Sequence, residues 1–237
     1  HNGRFHGLAY VQNPNSGPRL TNRTVLEDET GIKFPPALLL DPKDKKTVRF
    51  LGAGCAKGRS WKSLFRQTKD YAVGLYIDAD TTYKLFKKQM TTPEKAQAAL
   101  LRPRTGITKT LRIVLAKECD SFLFTTNIND RIEAAFAKED FDQILWLDIW
   151  RYWVVDQGGY HQMLPKGTEV RFTWKWDSWN EDDVLITEFR KRDRILASKK
   201  LYGDALPKHV FSAFLGEKPV SAPAKDDIIN RMMKLCR

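Results

Sequence analysis

The chain has 237 residues, 42% apolar and 29% charged, with a formal net charge of +11. That length suffices for a large domain with a buried core, and the apolar fraction excludes an intrinsically disordered chain. The most apolar stretch, residues 144–155, is interrupted by Asp148 and Arg151 and is too short to span a bilayer, so no membrane-crossing helix is expected.

Residues 1–20, rich in Asn, Gly and Pro, read as a loose amino-terminal arm, and residues 21–237 as a single domain undivided by any linker. Thr24–Phe34 reads as a strand or hairpin turning at Thr30-Gly31, and Pro35-Pro36 ends it. Thr47–Cys55 (TVRFLGAGC) is a strand whose small residues mark the close approach of another backbone. Asp70–Ile77 (DYAVGLYI) is a buried partner strand, with the basic segment 56–69 as the end of a long hairpin between the two. A short helix covers Thr81–Lys88, and a second runs to Leu101 with Pro93 in its first turn.

Leu111–Ala116 is a strand, and Asn129-Asp130 starts a helix that runs to Ala137. Asp140 caps a long amphipathic helix from Phe141 to Asp156 that ends at Gly158-Gly159. Its stripe of Trp146, Trp150 and Trp153 reads as core. Thr168–Trp176 alternates strictly, placing Val170, Phe172, Trp174 and Trp176 on one face and Glu169, Arg171, Thr173 and Lys175 on the other, as a half-buried antiparallel strand does. Trp179–Asp182 turns the chain into Val184–Phe189, and Ile195–Lys199 continues the sheet after a break. Helices over Ala205–Leu215 and Ala224–Leu235 close the chain. This segregated order of strands and helices is that of an α+β domain, an antiparallel sheet backed by helices.

The positive charge attracts anions, but the basic residues are scattered from Lys43 to Arg237 among acidic ones, as on a solvated surface rather than a nucleic-acid groove. The densest basic run, Arg190-Lys191-Arg192, is followed by Asp193. Cys55, Cys119 and Cys236 make no CxxC pair, which argues against a disulfide scaffold or a zinc site. There is no P-loop, GxGxxG-to-helix unit, HExxH or GxSxG. Of the four histidines, His1 and His6 lie in the arm, His161 beyond the Gly158-Gly159 break, and His209 on a helix.

Several segments, in order, resemble the chalcone-isomerase-like family. Val48–Gly54 (VRFLGAG) resembles its first long strand, Asp70–Tyr76 (DYAVGLY) its partner, and Leu111–Val114 (LRIV), with Arg112, the central strand of the non-enzymatic members. Leu164–Thr168 (LPKGT) matches its Pro-x-Gly turn, and Phe214–Val220 (FLGEKPV) followed by Ala224–Asp227 its final helix-turn-helix. The resemblance implies an open-faced β-sandwich, a large antiparallel sheet covered on one side by helices, with a ligand cleft between the layers. It implies binding of a fatty acid or another apolar carboxylate, and a plastid or mitochondrial location.

In the enzymes of the family an Arg after the glycine-rich strand, a Thr and a Tyr organise a water, while an Asn and a Thr hold the flavonoid. This sequence departs from that set. Tyr71 stands at the Thr position, as in the fatty-acid binders; Asn127 falls near the Tyr position, with no Tyr between Lys84 and Arg151; and Ala213 takes the place of the pocket Thr. The Arg position is Ala56 or Lys57, with Arg59 close by. The ligand-binding candidates are therefore Tyr71, Lys57, Arg59, Ala213 and Arg112, and no catalytic set is complete. A carboxylate in an apolar cleft must be paired and hydrogen-bonded or it takes up a proton. Lys57 would pair it as a point charge and the Tyr71 hydroxyl would donate a second bond. Three alternatives stand beside this reading: residual isomerase activity; haem binding as in a fungal branch of the family, with His161 or His209 as axial ligand; and a purely interacting role, as in family members that assist other enzymes without a ligand.

Overall fold

The computed structural model describes residues 20–41, 45–58, 68–136, 138–158, 163–192 and 194–237. Of the amino-terminal arm only Leu20 falls among them. A small hairpin comes first, β1 (Val25–Leu26) and β2 (Lys33–Phe34), with Gly31 at a φ of +70° in its turn, as the sequence indicates. A strand absent from the sequence reading follows, β3 (Ala37–Asp41). It escaped because Pro35-Pro36 looks like a terminator. β3 is an edge strand, and at an edge a missing proline N–H breaks no ladder; the Pro36 carbonyl still accepts from the Phe50 N–H at 3.0 Å.

Strands β4 (Lys46–Gly58) and β5 (Thr68–Ile77) pair with each other, and β6 (Lys109–Leu115) pairs with β5. Between β5 and β6 lie α1 (Ala79–Phe86), capped by Asp78, and α2 (Pro93–Leu101), capped by Thr92 with proline in its first turn. After β6 a short β7 (Cys119–Asp120) leads into α3 (Ser121–Phe136), then α4 (Phe141–Gly158) and β8 (Met163–Leu164), which pairs with β7. The sheet is completed by β9 (Glu169–Asp177), β10 (Asp182–Lys191) and β11 (Arg194–Tyr202), and the chain closes with α5 (Ala205–Leu215) and α6 (Ala222–Leu235).

Among the described residues the main sheet has seven strands, ordered β11-β10-β9-β6-β5-β4-β3 and antiparallel throughout. Helix α3 begins at Ser121, eight residues before the Asn129-Asp130 start read from sequence. The Asp120 carboxylate accepts from the Phe122 and Leu123 N–H groups at 2.8 and 3.1 Å and caps the earlier turn. The aromatic and β-branched run after it is a poor helix former by itself. Burial of Phe124, Ile128, Ile132 and Phe136 on one stripe holds it helical.

One face of the sheet, the inner, lies under the helices. Tyr71, Val73, Leu75, Leu111, Ile113, Val170, Phe172 and Trp174 point into a single apolar cluster with α2–α6. Trp150 of α4 is fully buried there; it meets Phe172 edge-on at 5.7 Å and donates its indole N–H to the Thr187 hydroxyl at 3.0 Å. Trp146 and Trp153 pack beside it half-buried, so the tryptophan stripe is core, as its spacing implies. No helix among the described residues is long and apolar enough to cross a membrane.

Helix α6 runs along β4 beyond the stretch that pairs with β3, where that strand's edge would otherwise be bare. The Ala53 N–H donates to the Asp227 carboxylate at 3.0 Å, and the Ser221 hydroxyl donates to the Cys55 carbonyl at 2.5 Å while accepting from the Ala224 N–H to cap α6. A Cβ on Gly52 would lie 2.9 Å from the Ile228 nitrogen, and one on Gly54 would collide with the Ala224 backbone. The small residues of β4 thus seat α6, the close backbone approach that the sequence indicates.

The outer face differs from the sequence reading. Glu169, Arg171 and Thr173 are buried rather than solvated. Glu169 sits between two arginines, 2.7 Å from Arg112 and 2.5 Å from Arg171, while Thr110 and Thr173 pair through their hydroxyls at 3.0 Å. Phe34, Leu38, Val48, Phe50, Ala72 and Tyr76 form a smaller apolar cluster on this face.

Candidate functional site

Tyr71 is fixed by its strand. On β5 it pairs across the ladder with Leu115 on one side and Ala56 on the other, and period-two alternation directs it to the inner face. The ring is 2% exposed and meets Phe124 of α3 edge-on, with centroids 5.7 Å apart and planes inclined at 73°. Among the described residues its hydroxyl has no hydrogen-bond partner. Burial pushes the Tyr71 pKa well above its ordinary value of 10.0; the positive charge of Arg131 opposes that push, and Cys119 and Asp70 add to it. The phenol therefore stays protonated at physiological pH and remains a donor.

The family's Arg position resolves in part. Ala56, fully buried, faces Tyr71 directly, and Lys57 follows an irregularity in the ladder and pairs with Lys69. No charge therefore lies directly opposite Tyr71 on β4. Arg59 lies outside the described residues, as does His161. Ala213 is fully buried in α5 within the apolar cluster of the inner face.

Arg112 does not join this group. It pairs with Gly74 and Arg171 and so faces outward; its guanidinium is bound to Glu169 and to the Lys33 carbonyl at 2.9 Å, over the ring of Phe34. Its assignment to the ligand site is corrected: the strand was identified rightly, but Arg112 projects from the opposite face. One residue that the sequence reading passed over, Arg131 of α3, is near enough for its charge to reach the Tyr71 hydroxyl.

His209 is buried on α5, its Nε2 2.6 Å from the Glu139 carboxylate and its ring centroid 4.7 Å from that of Phe136. The Nε2 through which His209 would ligate a haem iron is already held by Glu139. No cluster of three or more metal-ligating side chains occurs among them. An open depression of about 350 Å³ lies on α4, lined by Tyr152, Trp153, Val155 and Asp156. Trp153 packs on Phe189 of β10, three strands away from Tyr71, so that depression is separate from the tyrosine.

A curled antiparallel sheet of seven strands with six helices packed on it, among the described residues, is the chalcone-isomerase-like fold. The structure of the fatty-acid binding protein AtFAP1 from Arabidopsis thaliana matches with a TM-score of 0.66 at 19% sequence identity, over 90% of this chain and 98% of that one. No family model and no curated protein matches the sequence.

Proposed function

We propose that the chain binds a fatty acid or similar apolar carboxylate between the inner face of the sheet and α3–α5, with the carboxylate at Tyr71. The observation that carries the reading is the Tyr71 hydroxyl, a donor held in an apolar cluster and unpartnered among the described residues. A ligand oxygen accepting from this hydroxyl gains one hydrogen bond, worth about 0.5–1.5 kcal/mol. The fold shared with AtFAP1, a protein titled as a fatty-acid binder, supports the same class of ligand. Lys57 and Arg59 are the cations that the sequence offers for the carboxylate, and Ala213 is part of the apolar wall.

Titration of the protein with palmitic acid, followed by tryptophan fluorescence or calorimetry, tests the reading. Tyr71→Phe removes one hydroxyl from a site of unchanged shape. It should weaken binding roughly three- to tenfold, the value of one hydrogen bond. Equal affinity in Tyr71→Phe and the parent would remove Tyr71 from the site.

A further inference from the structure

Nothing on β4 among the described side chains places a charge opposite Tyr71, yet a carboxylate buried there requires one. The helical wall provides it. Phe124, whose ring edge meets Tyr71, and Arg131 are seven residues apart on α3, so they lie on nearly the same face of the helix. Long helical side chains lean toward the amino terminus. Arg131 does so, its guanidinium donating to the Asn127 carbonyl one turn back toward Phe124. Among the described residues Arg131 has no carboxylate partner, and the neighbouring acid, Asp70, is already paired with Lys117. Arg131 is solvent-exposed, so its charge waits for a ligand without a desolvation penalty.

We propose that Arg131 is the residue that selects a carboxylate over a neutral lipid head at Tyr71, its planar fork taking the two oxygens while the Tyr71 hydroxyl donates to one of them. The felt charge of Arg131 at the Tyr71 hydroxyl agrees with this placement. The proposal rests on the lipid-binding reading above and deepens it. It also relocates the principal cation from the β4 hairpin to α3.

The test compares palmitic acid with methyl palmitate on the parent, Arg131→Met and Arg131→Lys. The parent is expected to prefer the acid. Arg131→Met should lose about ten- to a hundredfold in affinity for the acid, with the ester unchanged, and Arg131→Lys should fall between. Undiminished preference for the acid in Arg131→Met overturns the role of Arg131 and leaves lipid binding standing. A parent that binds neither ligand overturns both.

Discussion

The two faces of the one sheet are both buried, by opposite chemistry. The inner face is aromatic and aliphatic and lies under α2–α6. Across the same strands, the outer face carries Glu169 between Arg112 and Arg171, with a second pair, Arg190 and Glu188, 3.0 Å apart on β10. Successive residues of β9 serve both faces in turn. The comparison shows that alternation tells which residues share a face, but not whether the polar face meets water. It also shows why a cation on the correct strand, Arg112, is unavailable to a ligand on the inner face.

Substitutions of equal severity on the two faces should separate them. The largest effect is expected inside: Phe172→Ala removes a fully buried ring that meets Trp150 and Phe214, and should cost about 3–5 kcal/mol in chemical denaturation. A loss below about 1 kcal/mol would mean that the helical layer is not packed on β9 as described. On the outer face, Glu169→Ala leaves two arginines without the carboxylate they share and should cost about 2–4 kcal/mol. Arg151→Ala is the control. Its pair with Asp148 is more than a third exposed on both sides, and it should move stability by less than about 0.5 kcal/mol. Similar losses in the two variants would show the outer ladder to be solvated after all.

The smallest effect near neutral pH involves Lys109, the one inner-face cation of the central strand, buried with its Nζ 3.3 Å from the Trp174 ring centroid and 2.8 Å from the Leu100 carbonyl. Burial lowers its pKa from 10.5 to about 7, with Asp183 opposing. Because the folded value lies below the unfolded one, the unfolded chain holds more proton above pH 7, and stability rises with pH in that window. The parent minus Lys109→Met should therefore gain up to roughly 1.4 kcal/mol per pH unit between pH 7 and 9. Cys55, Cys119 and Cys236, which burial pushes up to about 11 and which would lower stability above pH 9, are common to both proteins and cancel in this difference. A flat difference would mean that Lys109 reaches water.

The fold was largely legible in the chain, because its elements obey local rules. Thr92 and Pro93 open α2, Asp140 precedes α4, the glycines of β4 seat α6, and the β9 alternation sets the face of Trp174. The two-residue strands β7 and β8 are too short to read from pattern, and β3 and the first half of α3 were hidden by context. β3 follows a proline pair tolerated only at an edge, and the first half of α3 is helical through burial rather than propensity. Of the candidate site, Tyr71 and Ala213 stand buried on the inner face, the sequence's own choice of wall. Arg112 was misplaced because neighbouring residues on a strand point to opposite faces, and Arg131 was missed because the start of α3 lay eight residues further along in the sequence reading.

The central claim is that the inner face beside Tyr71 holds an apolar carboxylate. Mass spectrometry of the small molecules extracted from natively purified protein, with an absorbance scan of the same sample, tests it most directly. A fatty acid near one per chain, depleted in Tyr71→Phe combined with Arg131→Met and accompanied by no Soret band, is the expected result. A protein that carries no acid and takes up none when it is offered contradicts the claim.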